Sequence, residues 1–427
     1  MNIDRIIKSF FSLSAITLLS RISGFIKVAG FAFVFGRYPY VDVLISVMIL
    51  PDLVYKFLSE GLISGAAVPI FVKYKDDNEA LNKAFWSIFW ITAIVSVIVC
   101  IILALATNPI CALIMPNVDP NYESSLREMW LILIPYLALG MLSGVQTSLL
   151  NAKLSFAKPA IGPILVNFSI IAVLPFTLYK GFEIIATANT VGAFIQCLWL
   201  ALLIRWDNTM DVSLKKCRVW DSEIVIDFIK ASTPVAAWIS LLPLIPVYER
   251  HLLASDSGAI ATFNYTEKLF NLPLGIISIS LAYVILPNLS GLKGQERRNF
   301  LVKALGLSSL IIVPIVAFIY IGADFIVELV YLRGHFSEND ALAVANLFKV
   351  YSISLLPVSL NMVLNRGFFA VKNYVIPFIA GLLGTLLQLY ICNVAVAQQG
   401  IRGVATAAIS AGFLQLIILL AFSFRRK

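Results

Sequence analysis

Apolar residues run along this chain in long blocks separated by short segments that carry most of the charge. Crossing ~30 Å of hydrocarbon takes about 20 residues of helix, and most of the blocks reach that length. Twelve can be read, at roughly 11–36, 43–71, 84–107, 128–151, 159–179, 183–205, 224–250, 259–290, 300–322, 340–370, 375–397 and 401–423. The pattern predicts an all-α polytopic membrane protein of about twelve transmembrane helices. Met1 to Ser9 is polar, and the apolar run after it has no small-residue cleavage site, so no cleavable signal is expected.

Composition agrees with that pattern. The chain is 60% hydrophobic and 13% charged, with mean hydropathy +0.90, whereas a soluble protein carries about 25% charged residues. Its cations favour one set of loops: Lys73, Lys75 and Lys83, then Lys215, Lys216 and Arg218, then Arg297 and Arg298, and the Arg425-Arg426-Lys427 tail. Basic loops stay cytoplasmic, so both termini are expected inside. The net charge of +8 reflects this bias and calls for no nucleic-acid partner. Cys100, Cys111, Cys197, Cys217 and Cys392 are scattered, with no Cys-x-x-Cys pair, so no disulfide framework or metal site is argued.

The chain reads as duplicated. The second span ends at Val68-Pro69 and the eighth at Leu286-Pro287, and Pro69 to Pro287 is 218 positions. Asn151 followed by Phe156-Ala157-Lys158 is echoed by Asn365 followed by Phe369-Ala370-Val371-Lys372, and Lys158 to Lys372 is 214. Two six-helix lobes are expected, 1–206 and 224–427, joined by a cytoplasmic linker at 207–223. Six spans per half is even, so the lobes run parallel, a transporter-like layout with its site near the repeat interface. The first, second, seventh and eighth spans would line it, since they hold most of the ionisable residues. Pro234, Pro243 and Pro246 favour kinks in the seventh span, as a gate hinge or as a passive bend.

The intramembrane charges carry the clearest functional signal. Arg21 and Lys27 interrupt the first span, Lys56 lies in the second between Asp52 and Glu60, and Lys268 follows Glu267 in the eighth. A charge at helix centre costs roughly 2.5–3.5 kcal/mol on insertion scales, so such residues face protein or a watery cavity. The excess of cations points to an anionic ligand. Arg presents a planar fork suited to phosphate, and Lys a point charge. Arg21 and Lys27 are about 120° apart around their helix, so they can flank one cavity at different depths. Asp52, Lys56 and Glu60 are spaced i, i+4, i+8, as a self-neutralised ladder or as a gate in which an acid releases Lys56. Glu267 and Lys268 point to different sides and should have separate partners. Asp42 either caps the second span or pairs with a cation on the seventh or eighth.

Other motifs read as structural. Ser337 with Asp340 fits a capping box opening the tenth span. Asp76-Asp77-Asn78-Glu79 superficially suggests a metal-binding acidic motif, but acids there favour the start of the third helix. His251 and His335 have no nucleophile or carboxylate constellation, and no Gly-x-x-x-x-Gly-Lys segment exists. The chain is not expected to be an enzyme.

Ser20-Arg21-Ile22-Ser23-Gly24-Phe25-Ile26-Lys27 resembles the Ser-Arg-x-x-Gly-Phe-x-Arg segment opening the MurJ/MviN family of lipid II flippases. Pro51-Asp52-Leu53, Ser59-Glu60-Gly61 and Val68-Pro69-Ile70 resemble that family's Pro-Asn-Leu, Ala-Glu-Gly and Val-Pro-Ile run. Tyr265-Thr266-Glu267-Lys268-Leu269 is similar to its Tyr-Ala-Asp-Arg-Leu, and Arg333-Gly334-His335-Phe336 to its Arg-Gly-x-Phe. The resemblance runs from about residue 8 onward. It implies an exporter fold of the multidrug/oligosaccharidyl-lipid/polysaccharide (MOP) type, with two lobes in a V around a cationic cavity. The implied substrate is undecaprenyl-diphosphate carrying the disaccharide-pentapeptide of peptidoglycan, moved from the inner to the outer leaflet of the cytoplasmic membrane. Arg21, Lys27 and Lys268 match three cavity arginines thought to hold the diphosphate, with Lys56 beside them, and Asp42 and Glu60 match acids associated with gating. No cofactor is expected, and coupling to the membrane potential or to an ion stays open.

Three departures stand out: Lys at 27 and 268, Tyr55 where many members have arginine, and an end after span twelve where the family commonly adds two helices for the lipid tail. The expected partners are the lipid-linked glycan, membrane lipids and cell-wall synthesis machinery. The alternatives are a flippase for another polyprenyl-linked glycan, a drug exporter of the same superfamily, or a non-transporting scaffold for wall synthesis. A cation exporter should have an acidic cavity, and this one reads basic.

Overall fold

The computed structural model describes residues 3–55, 63–116, 118–177, 181–206, 220–239, 244–275, 294–369, 371, 373 and 375–423, and among them the regular elements are helical. The chain divides into two compact units. Unit 1 comprises Met1–Phe31 and Val43–Val247, and unit 2 comprises Ala32–Asp42 and Tyr248–Lys427.

Unit 1 holds most of α1 (Ile3–Phe35) and α2 (Pro39–Tyr55), then α3 (Ser64–Lys73), α4 (Asn78–Leu105), α5 (Thr107–Ile114), α6 (Pro120–Ala152), α7 (Gly162–Val173), α8 (Glu183–Trp206) and α9 (Ser222–Ile239), with the start of α10 (Leu244–Leu253). Its spine is α6, which buries 61% of its most apolar window, against 17% for α4. Backbones must come close for that, and α6 supplies small residues at Gly140, Ser143, Gly144 and Ser148, all buried or nearly so. At Gly140 a Cβ would collide with the Tyr55 ring. Phe71, Trp86, Val145, Leu149, Ile204 and Phe228 belong to one core cluster. The outward faces of α4 carry bare Ile98, Ile101, Ile102 and Leu105, a surface suited to hydrocarbon.

Unit 2 contains the rest of α10, α11 (Ala259–Pro273), α12 (Gly294–Tyr331), α13 (Glu338–Ser352), α14 (Leu355–Phe369), α15 (Val375–Gln399) and α16 (Arg402–Ser423). Leu301, Leu364, Phe368, Leu416 and Leu419 form one core cluster. Helices α13 and α14 are one bent span, turning through 41°. Pro357 explains the break, because it has no N–H for the Ile353 carbonyl and its ring crowds the preceding turn.

Eight described helices are long and apolar enough to cross a membrane, and the bent pair makes nine. The second, seventh and eighth expected spans each run into residues outside the described ones (56–62, 240–243 and 276–293). The ladder members Lys56 and Glu60, and the landmark Pro287, lie there too. Elsewhere the expected spans match closely, except that α12 runs on to Tyr331 past the expected end at 322, and that the fourth span starts early. The loop expected over 108–127 contains α5, and α6 begins at Pro120. Asp119 caps α6 by accepting from the Asn121 N–H at 2.9 Å, and Pro120 sits at the first helical position, where a missing N–H costs nothing.

The order of neighbours repeats. In unit 1, α3 and α4 pack on α6, α6 on α8, and α7 on α8. In unit 2, α11 and α12 pack on α13, α14 on α16, and α15 on α16. The lobe boundary read at 224, however, does not coincide with the division by contact. Helix α9 packs on α3 and α4, with Ile224 and Phe228 inside the unit 1 core. Asp221 anchors its start, pairing with Lys83 at 2.8 Å and donating its N–H to Ser87 Oγ at 2.9 Å. The tip of the α1–α2 hairpin belongs with unit 2, another departure from a simple split.

Candidate functional site

Helix α1 carries Arg21 and Lys27 in unit 1, within the membrane-length window Ile16–Phe35. Its packed face is set by Ser23, whose Oγ donates to the Ser20 carbonyl at 2.8 Å and accepts from Asn167 Nδ2 of α7 at 2.9 Å. A Cβ at Gly24 would make only ordinary contact with Asn167. Held this way, α1 leaves Arg21 exposed, and among the described residues no hydrogen bond or ion pair ties up its guanidinium. Lys27 is half-buried. The continuous helix keeps the two about 120° apart and ~9 Å along the axis.

On α2, Asp52 meets a tyrosine: Tyr136 Oη donates to Asp52 Oδ1 at 3.1 Å. Tyr55 stacks on Tyr136 with ring centroids 5.4 Å apart, and Gln196 Nε2 donates to Tyr55 Oη at 2.7 Å. The residue standing where relatives of this pattern have a cation is therefore absorbed into packing between α2, α6 and α8. Sequence spacing alone gave Asp52 a lysine partner and missed this aromatic one.

Unit 2 presents a second constellation, built around the hairpin tip Ala32–Asp42. The Asp42 carboxylate is buried and accepts two amide N–H groups, from Gly258 at 2.6 Å and Ala261 at 2.7 Å. Asp42 thus caps α11, whose own cap residue, Gly258, has φ +78° and no side chain to do so. This corrects both sequence readings, a cap for its own helix or a partner for a cation. Helix α11 starts without Ser, Thr, Asp or Asn at its cap, and a distant acid supplies the oxygen.

Around that cap the tip is fastened at several points. Tyr265 Oη donates to the Gly36 carbonyl at 2.8 Å, and His335 N–H donates to the Phe33 carbonyl at 2.9 Å. Arg37 lies 3.5 Å from Asp340. Asp340 also completes the expected capping box, accepting from the Ser337 N–H at 2.9 Å while Ser337 Oγ accepts from its N–H at 3.2 Å. Gly334 adopts φ +62° beneath the Phe33 carbonyl, where a Cβ would collide. Phe336 packs against Tyr265 and Tyr331. The Arg333–Phe336 segment is a clasp for the tip.

Below the clasp, Glu267 accepts from buried Arg250 at 2.8 Å, and Arg250 lies over the Phe263 ring at 5.1 Å. Neighbouring Glu249, also buried, accepts from Gln388 Nε2 at 2.9 Å. Glu267 and its neighbour Lys268 are both half-buried. The separate partner expected for Glu267 is thus Arg250. Sequence reading ended the seventh span at Arg250 and singled out neither Glu249 nor Arg250, although a Glu249-Arg250 pair closing an apolar run was the available signal.

Two aspartates cap helices of unit 1, of which the sequence suggested only the first. Asp77 accepts from the N–H groups of Glu79 and Ala80 at 3.0 and 3.1 Å, so the acidic run starts α4. Asp221 accepts from Glu223 and Ile224, and the Lys83 ammonium first, then these amides, hold its carboxyl below the usual carboxylate range.

A chain of many apolar helices, in two units with one order of neighbours and with exposed cationic charge inside a span, defines a multi-pass membrane transporter. The family profile described as Lipid II flippase MurJ matches residues 31–427, and the chain belongs to that family. Among curated relatives, the probable lipid II flippase MurJ of Rhizobium meliloti is 25% identical over 97% of this chain and 80% of its own length. That of Buchnera aphidicola subsp. Baizongia pistaciae is 28% identical over 87% and 74%. In fold, the chain resembles a solved lipid II flippase MurJ in an inward closed conformation, with TM-score 0.84, 22% identity, and 96% and 87% of the two chains covered. An inward-facing multidrug resistance MATE transporter of the MOP superfamily matches with TM-score 0.76 at 14% identity, covering 96% and 97%.

Proposed function

We propose that this chain moves lipid II, the undecaprenyl-diphosphate-linked disaccharide-pentapeptide, from the inner to the outer leaflet of the cytoplasmic membrane by alternating access, with both termini cytoplasmic. Arg21, Lys27 and Lys268, with Lys56, receive the diphosphate. Arg21 carries the reading. It lies inside a membrane-length window, exposed, with no carboxylate partner among the described residues. Such a charge belongs in a wet cavity, where its fork suits a phosphate. The amphiphile cannot take its diphosphate and sugars through hydrocarbon, so the cavity stands in for water. An inside-negative potential favours outward movement of an anion by ~2.3 kcal/mol per charge per 100 mV, which needs no nucleotide. Asp42 and Glu60, which match family acids associated with gating, are the candidates for the gate.

The test is the leaflet accessibility of lipid II in cells depleted of the protein and rescued by variants. Arg21→Ala should abolish export with normal membrane insertion, and Arg21→Lys should rescue in part, keeping charge but losing the fork. Lys27→Arg and Lys268→Arg should retain export, and the Gln versions should reduce it sharply. Full rescue by Arg21→Ala would remove the cavity assignment and favour a scaffold.

A further inference from the structure

Helix α12 has an apolar stretch with charges only at its two ends. Between Lys303 and Asp324 no charged residue occurs, and about 20 such residues match the hydrocarbon thickness of ~30 Å. Asp324 therefore marks the level of the lipid headgroups at the Tyr331 end of α12. There it meets Lys349 of α13, Nζ to Oδ2 at 2.7 Å, with 27% of the lysine and 45% of the aspartate side chain still exposed. Lys349 is one of the span cations the cavity reading leaves unused.

One helical turn away from this pair along both helices lies a groove of about 380 Å³. Val313, Ala317, Tyr320 and Ile321 line it on α12, and Ile353 and Leu356 line it across the break between α13 and α14. The α12 residues follow one helical stripe, and Asp324 continues it one turn further. Lys349 stands one turn from Ile353 on the other wall. Both α13 and α14 pack on α12, and the groove lies at the break between them. The site is thus an apolar slot about two turns deep with both signs of charge at its mouth.

We propose that this groove binds one glycerophospholipid of the ethanolamine class, with an acyl chain in the slot, the phosphate on Lys349 and the ammonium on Asp324. Charge complementarity selects it. A partly exposed ion pair contributes little by itself, so a ligand carrying both signs can replace each partner without stranding a charge. A purely anionic headgroup offers Lys349 the same phosphate but brings no cation to take the place of Lys349 at Asp324. A choline headgroup has no N–H to donate to that carboxylate. With the orientation proposed above, the lipid belongs to the outer leaflet.

The full-length protein in detergent micelles, given an equimolar mixture of palmitoyl-oleoyl phosphatidylethanolamine, phosphatidylcholine and phosphatidylglycerol, reads this out by native mass spectrometry. Wild type should retain one phosphatidylethanolamine through delipidation. Asp324→Asn should lower its preference over phosphatidylglycerol by about threefold to tenfold, the worth of one charge-assisted hydrogen bond at a wet rim. Lys349→Gln should reduce retention of every phospholipid, and Ala317→Trp, on an exposed face where it cannot disturb a core, should abolish it. Equal retention of the three lipids by wild type would overturn the proposal without reference to any variant. So would unchanged retention by Ala317→Trp, or displacement of the lipid by undecaprenyl phosphate, which would make the groove a substrate-tail site. The readout is a bulk phospholipid, so it stands or falls separately from the identity of the flipped substrate.

Discussion

At the scale of single residues, Asp42 shows how far a local motif can reach. Its carboxylate satisfies two amides at the head of a helix more than two hundred positions away. Asp42→Ala would leave buried N–H groups without acceptors, a loss of about 1–3 kcal/mol. Hydrogen exchange should then quicken by tenfold or more at the Gly258 and Ala261 amides, with Asp42→Asn in between. Unchanged exchange in Asp42→Ala would mean that the cap contributes nothing. Ser337 with Asp340, and Asp77 before α4, were legible in the sequence because donor and acceptor are three residues apart or fewer. The partners of Asp42, Asp52 and Glu267 were not, since spacing shows what a helix face can offer itself and says nothing of Tyr136 or Arg250 on other helices. The roles proposed for Arg21, Lys27 and Lys268 rest on charge in an apolar setting, a signal that needs no partner.

At the scale of elements, α9 shows why boundaries are harder to read than spans. Its apolar pattern fixed its existence, but its allegiance depends on where Ile224 and Phe228 find a core and on Asp221. The Asp221 carboxyl is held down first by Lys83 and then by the Ile224 and Glu223 amides. A depressed folded pKa adds stability above the ordinary aspartate range near ~4, and that contribution is lost as pH falls through the folded value. Thermal unfolding in detergent should therefore show wild type more stable than Asp221→Asn near neutral pH, with the gap narrowing below about pH 4. A gap that widens in acid would reverse the assignment. The twelve-span pattern was legible because hydrophobic length is a property of one segment. The bend between α13 and α14 was legible only in hindsight, from Pro357.

For the whole molecule, the repeat read from Pro69 and Lys158 reappears as one order of helix neighbours in both units, and the even span count sets the expected topology. In a cysteine-free background, cysteines placed near Asn121 and Asn339 should react with an impermeant reagent added outside intact cells, and one in the Arg425–Lys427 tail should not. Labelling of the tail from outside would require an odd number of spans and would break the parallel repeat. The hairpin tip adds something that a duplicated pattern does not suggest. Ala32–Asp42 is built by the first half of the chain and folds with the second. No single cut can then divide the chain into its two units: one made at the 207–223 linker would leave the later piece without the carboxylate that starts its α11. The duplicated halves have become mutually dependent, and the eleven-residue loan between them is covalent.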